Sequence, residues 1–396
     1  ALAALAGEGD PATPINTLGF SRAEVADRPG VGPAWVEVAA YGFGVVGRPP
    51  DRVRASETPD RIVLANGLLR AELGRDGLLH SLVDLESGRE ALAAPGNVMQ
   101  LYDDRPTAYE AWDIDPFHLE TVRDAPRASS CRLAAAGPLR AEAAVERPVG
   151  VASTMRQTVR LDAGSRRLEF RCEVDWHESR TMLKVLFPVA VRSDRATYQM
   201  QFGYAERPTH YSTRHDLARF EVPGNRLDDL SEHGFGVALL TDCKYGYSTY
   251  GGDMRISLLR STTVPDPQAD LGRHEFAYAV MPHRGGWREA GVVAEAARFE
   301  TPLRWSPAAP AGSFFAVDDP NLVLDTVKRA EDLDALVLRL YEAHGARGSA
   351  RLRVGLAFSA AHRCNLLEDR GAPLTVSGDE IELAYRPHEI ISVLVT

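Results

Sequence analysis

Polar and apolar residues alternate without a break from Arg167 to Trp176, and this period of two recurs along most of the chain. In an extended chain successive side chains point to opposite faces. Leu168, Phe170, Cys172, Val174 and Trp176 therefore share a core-facing side, and the charged residues between them face water. The same alternation marks Arg351 to Phe358, Glu380 to Tyr385 and Glu389 to Val395. Asp76-Gly77, Ser87-Gly88, Pro95-Gly96, Pro223-Gly224 and Ser377-Gly378 punctuate these runs as turn signals between strands. Strands do not alternate with long amphipathic helices, which argues against a parallel α/β sheet. One segment is ambiguous. Lys328 to Leu333 are good helix formers, yet Asn321 to Val327 and Ala335 to Tyr341 read as strands on either side of a charged turn. Tertiary context overrides weak propensity, so a hairpin is expected.

The fold class expected is all-β and antiparallel. Pro49-Pro50 closes a first small β-rich segment, residues 1–52, and the prolines between Pro302 and Pro310 open a last segment of sandwich size, residues 302–396. Residues 53–301 are too many for a simple seven-strand sandwich, so a large two-sheet β-supersandwich is expected there, flanked by the smaller sandwiches. Ala1 to Gly7 read as the last turn of a helix stopped by glycine, which points to a fragment of a longer protein.

Composition narrows the partners. The formal net charge is -10 at pH 7, and both nucleic acid and anionic membranes reward basic patches, so neither is expected. No apolar run is long enough to span a bilayer. Cys131, Cys172, Cys243 and Cys364 are widely spaced without a Cys-x-x-Cys pair, which excludes a zinc ribbon or thioredoxin motif. Free thiols in a reducing compartment are expected, and with them a cytoplasmic location.

Several groups carry candidate chemistry. Asp113 and Asp115 flank Ile114 beside Tyr109 and Trp112. Residues i and i+2 on a strand share a face, so the two carboxylates could serve as a glycosidase pair, or could order a loop. His210, His215 and Asp216 invite a metal reading, but His-x4-His-Asp fits no zincin helix or facial triad, and Pro208 argues against a helix; Arg207 and His210 are candidates for substrate binding or a domain interface. A polar loop bonded to itself is the alternative. Asp242, Lys244, Tyr245 and Tyr247 form a polar-aromatic loop at a strand end, suited either to the C–H face of a sugar or to a domain interface. Arg260 ends the strand that follows, ahead of Pro265-Asp266-Pro267. The two tyrosines and Arg260 are expected near one another. There is no Gly-x-Ser-x-Gly, phosphate-binding glycine loop or His-Glu-x-x-His.

The stretch Asp228 to Ser248, through His233-Gly234-Phe235-Gly236 and Tyr245-Gly246-Tyr247, resembles the C-terminal half of glycoside hydrolase family 38, the α-mannosidases. So, in family order, do Pro14 to Phe20, Asn66 to Arg70 with Asp76-Gly77, Arg339 to Gly345, Cys364 to Glu368 and Arg386 to Ile390. Tyr109 to Asp115 resembles the family's Trp-Asp-Ala-Trp-Asp pattern, with Tyr109-Glu110 in place of the first pair. Glu206 to His210 resembles its Glu-Arg-Pro-Thr-His stretch. The resemblance implies a galactose-mutarotase-like supersandwich and an arginine, Arg260, able to reach toward the sugar pocket. It also implies that the aspartate nucleophile and the zinc site lie in an N-terminal barrel whose residues have no counterpart here. The chain then reads as the non-catalytic half of a retaining, zinc-dependent α-mannosidase. It would hold no cofactor of its own, and its partners would be the catalytic domain and an α-mannoside, with a homo-oligomer left open. A stand-alone carbohydrate-binding β-sandwich protein is the alternative.

Overall fold

A computed structural model describes residues 12–396; the expected helix end at Ala1 to Gly7 lies outside the described residues. Every strand pairing within its six sheets is antiparallel. The fold is all-β. The described chain forms two compact units. One holds Pro49–Gln199 with Ala205–Glu300; the other gathers the residues up to Arg48, Met200–Tyr204 and Thr301–Thr396.

The larger unit is built on a nine-stranded and a six-stranded sheet. At the centre of the nine-stranded sheet lie Leu168–Trp176, Gly272–Arg284 and Phe235–Thr241. The six-stranded sheet runs in the order Arg123–Asp124, Val98–Asp103, Thr181–Pro188, Asp253–Arg260, Gly246–Tyr250, Val222–Pro223. The two meet through aromatic rings. Phe187 packs edge-on to Phe170 at 5.5 Å between centroids, and Phe170 stacks on Tyr278 at 5.2 Å. All three are fully buried, and each such side chain contributes about 1.5–3 kcal/mol of hydrophobic stabilisation.

The alternating run behaves as its pattern demands, with Leu168, Phe170, Cys172, Val174 and Trp176 buried. Glu169 alone departs from it, because Arg167 and Arg171 on either side both pair with its carboxylate and let it lie buried. Phe235–Thr241 is buried at every residue, with the helix Val292–Glu300 packed against it. The His233-Gly234 turn that leads into it needs φ +81° at Gly234, a conformation glycine adopts without steric cost.

In the smaller unit, residues from Phe315 onward form a sandwich of a four-stranded and a five-stranded sheet around Leu324, Leu338, Leu352, Ile381 and Val393. The ambiguous segment is a hairpin. Leu322–Arg329 pairs antiparallel with Leu336–Glu342, since its apolar residues are needed in this core and a helix would take half of them out of it.

Candidate functional site

Strand register gathers one row of side chains on the outward face of the six-stranded sheet. Gln100 pairs with Lys184, Lys184 with Ser257, and Ser257 with Gly246. Directly paired residues of antiparallel strands point to the same side, so these stand together, opposite the face that carries Leu183, Val185 and Phe187 into the core. The strand Thr181–Pro188 is buried from Thr181 through Phe187. Both its faces are therefore covered, and Lys184 is a cation with 0% of its surface exposed.

The cover comes from two segments. One is the 3-10 turn Pro116–Thr121, started by a proline at its first position; the other is the chain around Phe220 and Glu221. An isolated buried ammonium would cost several kcal/mol, and here it has three partners. Lys184 Nζ donates to Glu221 Oε2, lies 3.2 Å from His118 Nε2, and sits 5.1 Å from the centre of the Tyr102 ring. His118 Nδ1 lies 2.8 Å from the Asp115 carbonyl. A carbonyl only accepts, so Nδ1 carries the proton and neutral Nε2 accepts from Lys184. Burial and then the Lys184 charge hold the His118 pKa below its usual value, which agrees with that tautomer. Glu221 also accepts from the Ser257 hydroxyl. Glycine at 246 makes room, because a Cβ there would come within 2.9 Å of Glu221 Oε1. Tyr102 donates to Gln100 Oε1 at 2.9 Å, and Arg255 donates to the same oxygen at 3.0 Å. Burial pushes the Tyr102 hydroxyl up to about 12.

Farther along the same face Arg260 pairs with Met182. Its guanidinium grips the buried Asp104 carboxylate and the carbonyls of Glu110, at 2.8 Å, and Asp113. Glu110 in turn accepts from the Thr263 amide at 2.7 Å and lies 3.3 Å from Arg180 Nε. Asp115 accepts from the Thr107 amide and hydroxyl at 2.8 and 3.0 Å. The loop between Asp104 and Pro116 is thus tied at several points. It presents Tyr109 and Trp112 with 71% and 70% of their surface exposed, and Phe117 in the turn that follows is 65% exposed. Asp113 and Asp115 lie in this loop and not on a strand, so the shared strand face expected of a carboxylate pair is absent. Asp115 closes a turn, and Asp113 engages Arg260 through its main chain.

The remaining candidates disperse. Tyr247 pairs with Ile256 on the inward face, is fully buried and packs edge-on to Tyr198 at 6.0 Å. Tyr245 is 62% exposed. Tyr247 and Arg260 lie on opposite faces of the sheet, so the expected group of Tyr245, Tyr247 and Arg260 does not form. Asp242 accepts from the Ala277 amide at 3.0 Å and so closes a strand end, while Lys244 Nζ lies 4.4 Å from the Phe276 ring. Arg207 donates to the Pro223 carbonyl at 3.1 Å and covers the Tyr198 ring at 5.2 Å; burial lowers its pKa. Asp216 and Thr213 form a capping box on the short helix Arg214–Leu217, with His210 Nδ1 3.8 Å from the Asp216 carboxylate and His215 exposed. That explains the His and Asp cluster as local ordering. Among the described residues no group of three His, Cys, Asp or Glu side chains could hold a metal.

Sequence reasoning missed Lys184, His118, Glu221 and Asp104. Lys184 carried a usable signal, since it is the lone charge inside the apolar run Met182 to Phe187. It also missed Asp228, which is fully buried. One carboxylate oxygen of Asp228 accepts from the Thr249 hydroxyl at 2.6 Å and the other has no partner among the described residues. Burial raises its pKa to about 8.

Comparison with known proteins adds the family. Residues 64–268 match the model of the glycosyl hydrolases family 38 C-terminal domain, and residues 321–393 match that of the family 38 C-terminal beta sandwich domain. The chain is 43% identical to the human protein named Alpha-mannosidase 2C1, over 96% of this chain and 39% of that protein. It is 32% identical to the Alpha-mannosidase of Saccharomyces cerevisiae, over 84% of this chain and 34% of that protein. The chain thus spans less than half the length of the curated relatives it matches. A crystal structure titled as an alpha-mannosidase from Enterococcus faecalis superposes with a TM-score of 0.74 over 98% of this chain and 51% of that one. At 14% identity that likeness concerns the fold.

Proposed function

The chain belongs to glycoside hydrolase family 38, and we propose that it is the C-terminal, non-catalytic portion of a retaining α-mannosidase. In this reading it supports a catalytic region supplied elsewhere in the whole protein and shapes one side of its sugar site. The observation that carries the reading is the loop held by Arg260. Its guanidinium ties down Asp104 and the Glu110 and Asp113 carbonyls, and the loop turns Tyr109 and Trp112 outward. Aromatic faces pack against the C–H surface of a sugar, and a fixed loop loses little entropy when it binds.

The side chains on the covered sheet face have their own work. Lys184 Nζ is held by Glu221, His118 and the Tyr102 ring, and neutral His118 is bonded at both nitrogens. They fasten the cover to the sheet and leave no free acid or base there. The zinc of the whole enzyme would grip sugar hydroxyls and stabilise charge, and its ligands would come from the catalytic region, since no group among the described residues fits it. A cytoplasmic location belongs to the same proposal. All four thiols are free, as a reducing compartment keeps them, and cell fractionation of the tagged protein checks it.

The test is Trp112→Ala in the whole protein, assayed on an aryl α-mannoside. The ring is exposed, so melting should be unchanged. The expected result is a fall of about tenfold in kcat/KM, equivalent to about 1.4 kcal/mol of lost stacking. Absence of any α-mannoside turnover by the whole protein, or unaltered kinetics in the variant, would refute the reading.

A further inference from the structure

The C-terminal sandwich contains a groove of about 660 Å³ that the reading above does not use. Its floor is the outward face of the four-stranded sheet. Arg351 pairs with Glu382 and Ser349 with Ala384 across the strands Gly348–Val354 and Glu380–Tyr385. The intervening Ala350, Leu352, Ile381 and Leu383 point into the core. Arg363 and Pro373 to Thr375 line it as well, and Asp318 completes the polar lining.

Two features decide what could bind. The arginines are held in place before any ligand arrives. Arg351 Nε donates to Asp318 at 3.1 Å and its Nη1 to Glu380 at 3.3 Å; Arg363 donates to Glu389 at 2.9 Å and to the Ala384 carbonyl. Meanwhile the Glu382 carboxylate and the Ser349 and Thr375 hydroxyls have no hydrogen-bond partner among the described residues. The lining carries two guanidinium groups against the carboxylates of Asp318 and Glu382. Its charges cancel, so neither an anion nor a cation is favoured. Donors and acceptors are interspersed, which suits a neutral ligand bearing many groups that both donate and accept. The volume lies within the range of small-ligand sites.

We propose that this groove is a secondary binding site for a neutral saccharide, apart from the aromatic loop. No aromatic ring lines it, so stacking is missing and binding falls in the millimolar range. The proposal rests on the functional reading only for the choice of mannose as probe.

Saturation-transfer NMR of the full 396-residue chain with methyl α-mannoside and mannobiose tests it. No catalysis is needed, so failure here leaves the α-mannosidase reading standing. Saturable binding is expected, weakened at least about fivefold by Glu382→Ala and by Thr375→Val. Both positions are exposed and alter stability little. In a Trp112→Ala background, which removes the aromatic loop's own contact with the sugar, the same weakening by the two groove changes should persist. No saturable signal, or equal binding by the two groove variants, overturns the proposal. So does a signal that disappears with Trp112→Ala and survives Glu382→Ala, because the sugar would then sit on the aromatic loop.

Discussion

Replacing Lys184 by methionine should be among the most damaging single changes in the larger unit. The new side chain has nearly the same length and fits the space. The loss is electrostatic. Lys184 and Glu221 side chains are 1% and 10% exposed, so removing the cation strands a carboxylate beside the neutral Nε2 of His118. Breaking a buried pair from one side costs about 3–5 kcal/mol. In a domain the size of the larger unit each kcal/mol moves the melting temperature by about 2–4 °C, so the transition should fall by about 6–20 °C. Glu221→Gln should cost less, because the amide still bonds Ser257 but leaves the ammonium without its counter-charge. The double variant, Lys184→Met with Glu221→Gln, removes both charges. It should recover at least about 2 kcal/mol relative to the sum of the singles, since groups in contact couple on that scale. Calorimetric unfolding of the four proteins closes the cycle. Additive losses, or a Lys184→Met variant within about 1 kcal/mol of the parent, would refute the view that this pair fastens the cover to the sheet.

Asp228 gives the fold an alkaline weakness. Burial raises its pKa to about 8 from the ordinary carboxylate value, so the folded state keeps a proton that the unfolded state releases. The stability it contributes is fully present below about pH 4 and is lost as pH climbs toward 8, at about 1.4 kcal/mol per unit. Asp228→Asn lacks that titration, so its stability advantage should widen across this window in urea titrations; parallel curves would contradict it. His118 acts in the opposite direction. Its pKa is lowered by burial and by Lys184, so stability holds above its usual value near 6.5 and falls on acidification, and His118→Gln should flatten that slope in the same titrations. Arg260→Ala should free the segment between Asp104 and Pro116 and strand buried Asp104. Limited proteolysis should then cut near Trp112 much faster than in the parent, and an unchanged pattern would show that the loop holds itself.

The fold was legible where a single physical rule governs many residues. The period of two from Leu168 to Trp176 has one face in the core and one in water, and no competing rule intervenes except at Glu169, where two arginines reverse the cost of burial. The hairpin at 322–342 was legible by the same logic, against local helix propensity. The site was far less legible. Its residues stand in pairs from strands distant in sequence, such as Gln100 with Lys184 and Lys184 with Ser257, and register cannot be read from one strand alone. Reading each polar residue by its immediate neighbours therefore could not place Asp113, His210 and Tyr247. The structure sets the Asp113 carbonyl on Arg260, His210 beside the Asp216 carboxylate and Tyr247 on the core face.

Arg260 was expected beside Tyr245 and Tyr247 and, by resemblance, able to reach toward a sugar pocket. The arginine does meet the segment that carries Tyr109 and Trp112, but through Asp104 and two main-chain carbonyls. Its charge is spent holding a loop whose rings remain exposed. A guanidinium already bonded to a buried carboxylate has limited freedom to grip a second ligand, while the loop it fixes gains a defined surface at little further entropic cost. The larger effect of Arg260 on any sugar should therefore pass through Tyr109 and Trp112. In the whole protein, Trp112→Ala and Arg260→Ala should be non-additive in kcat/KM, because the second change removes what the first has already lost. Full additivity would mean that Arg260 meets the substrate itself.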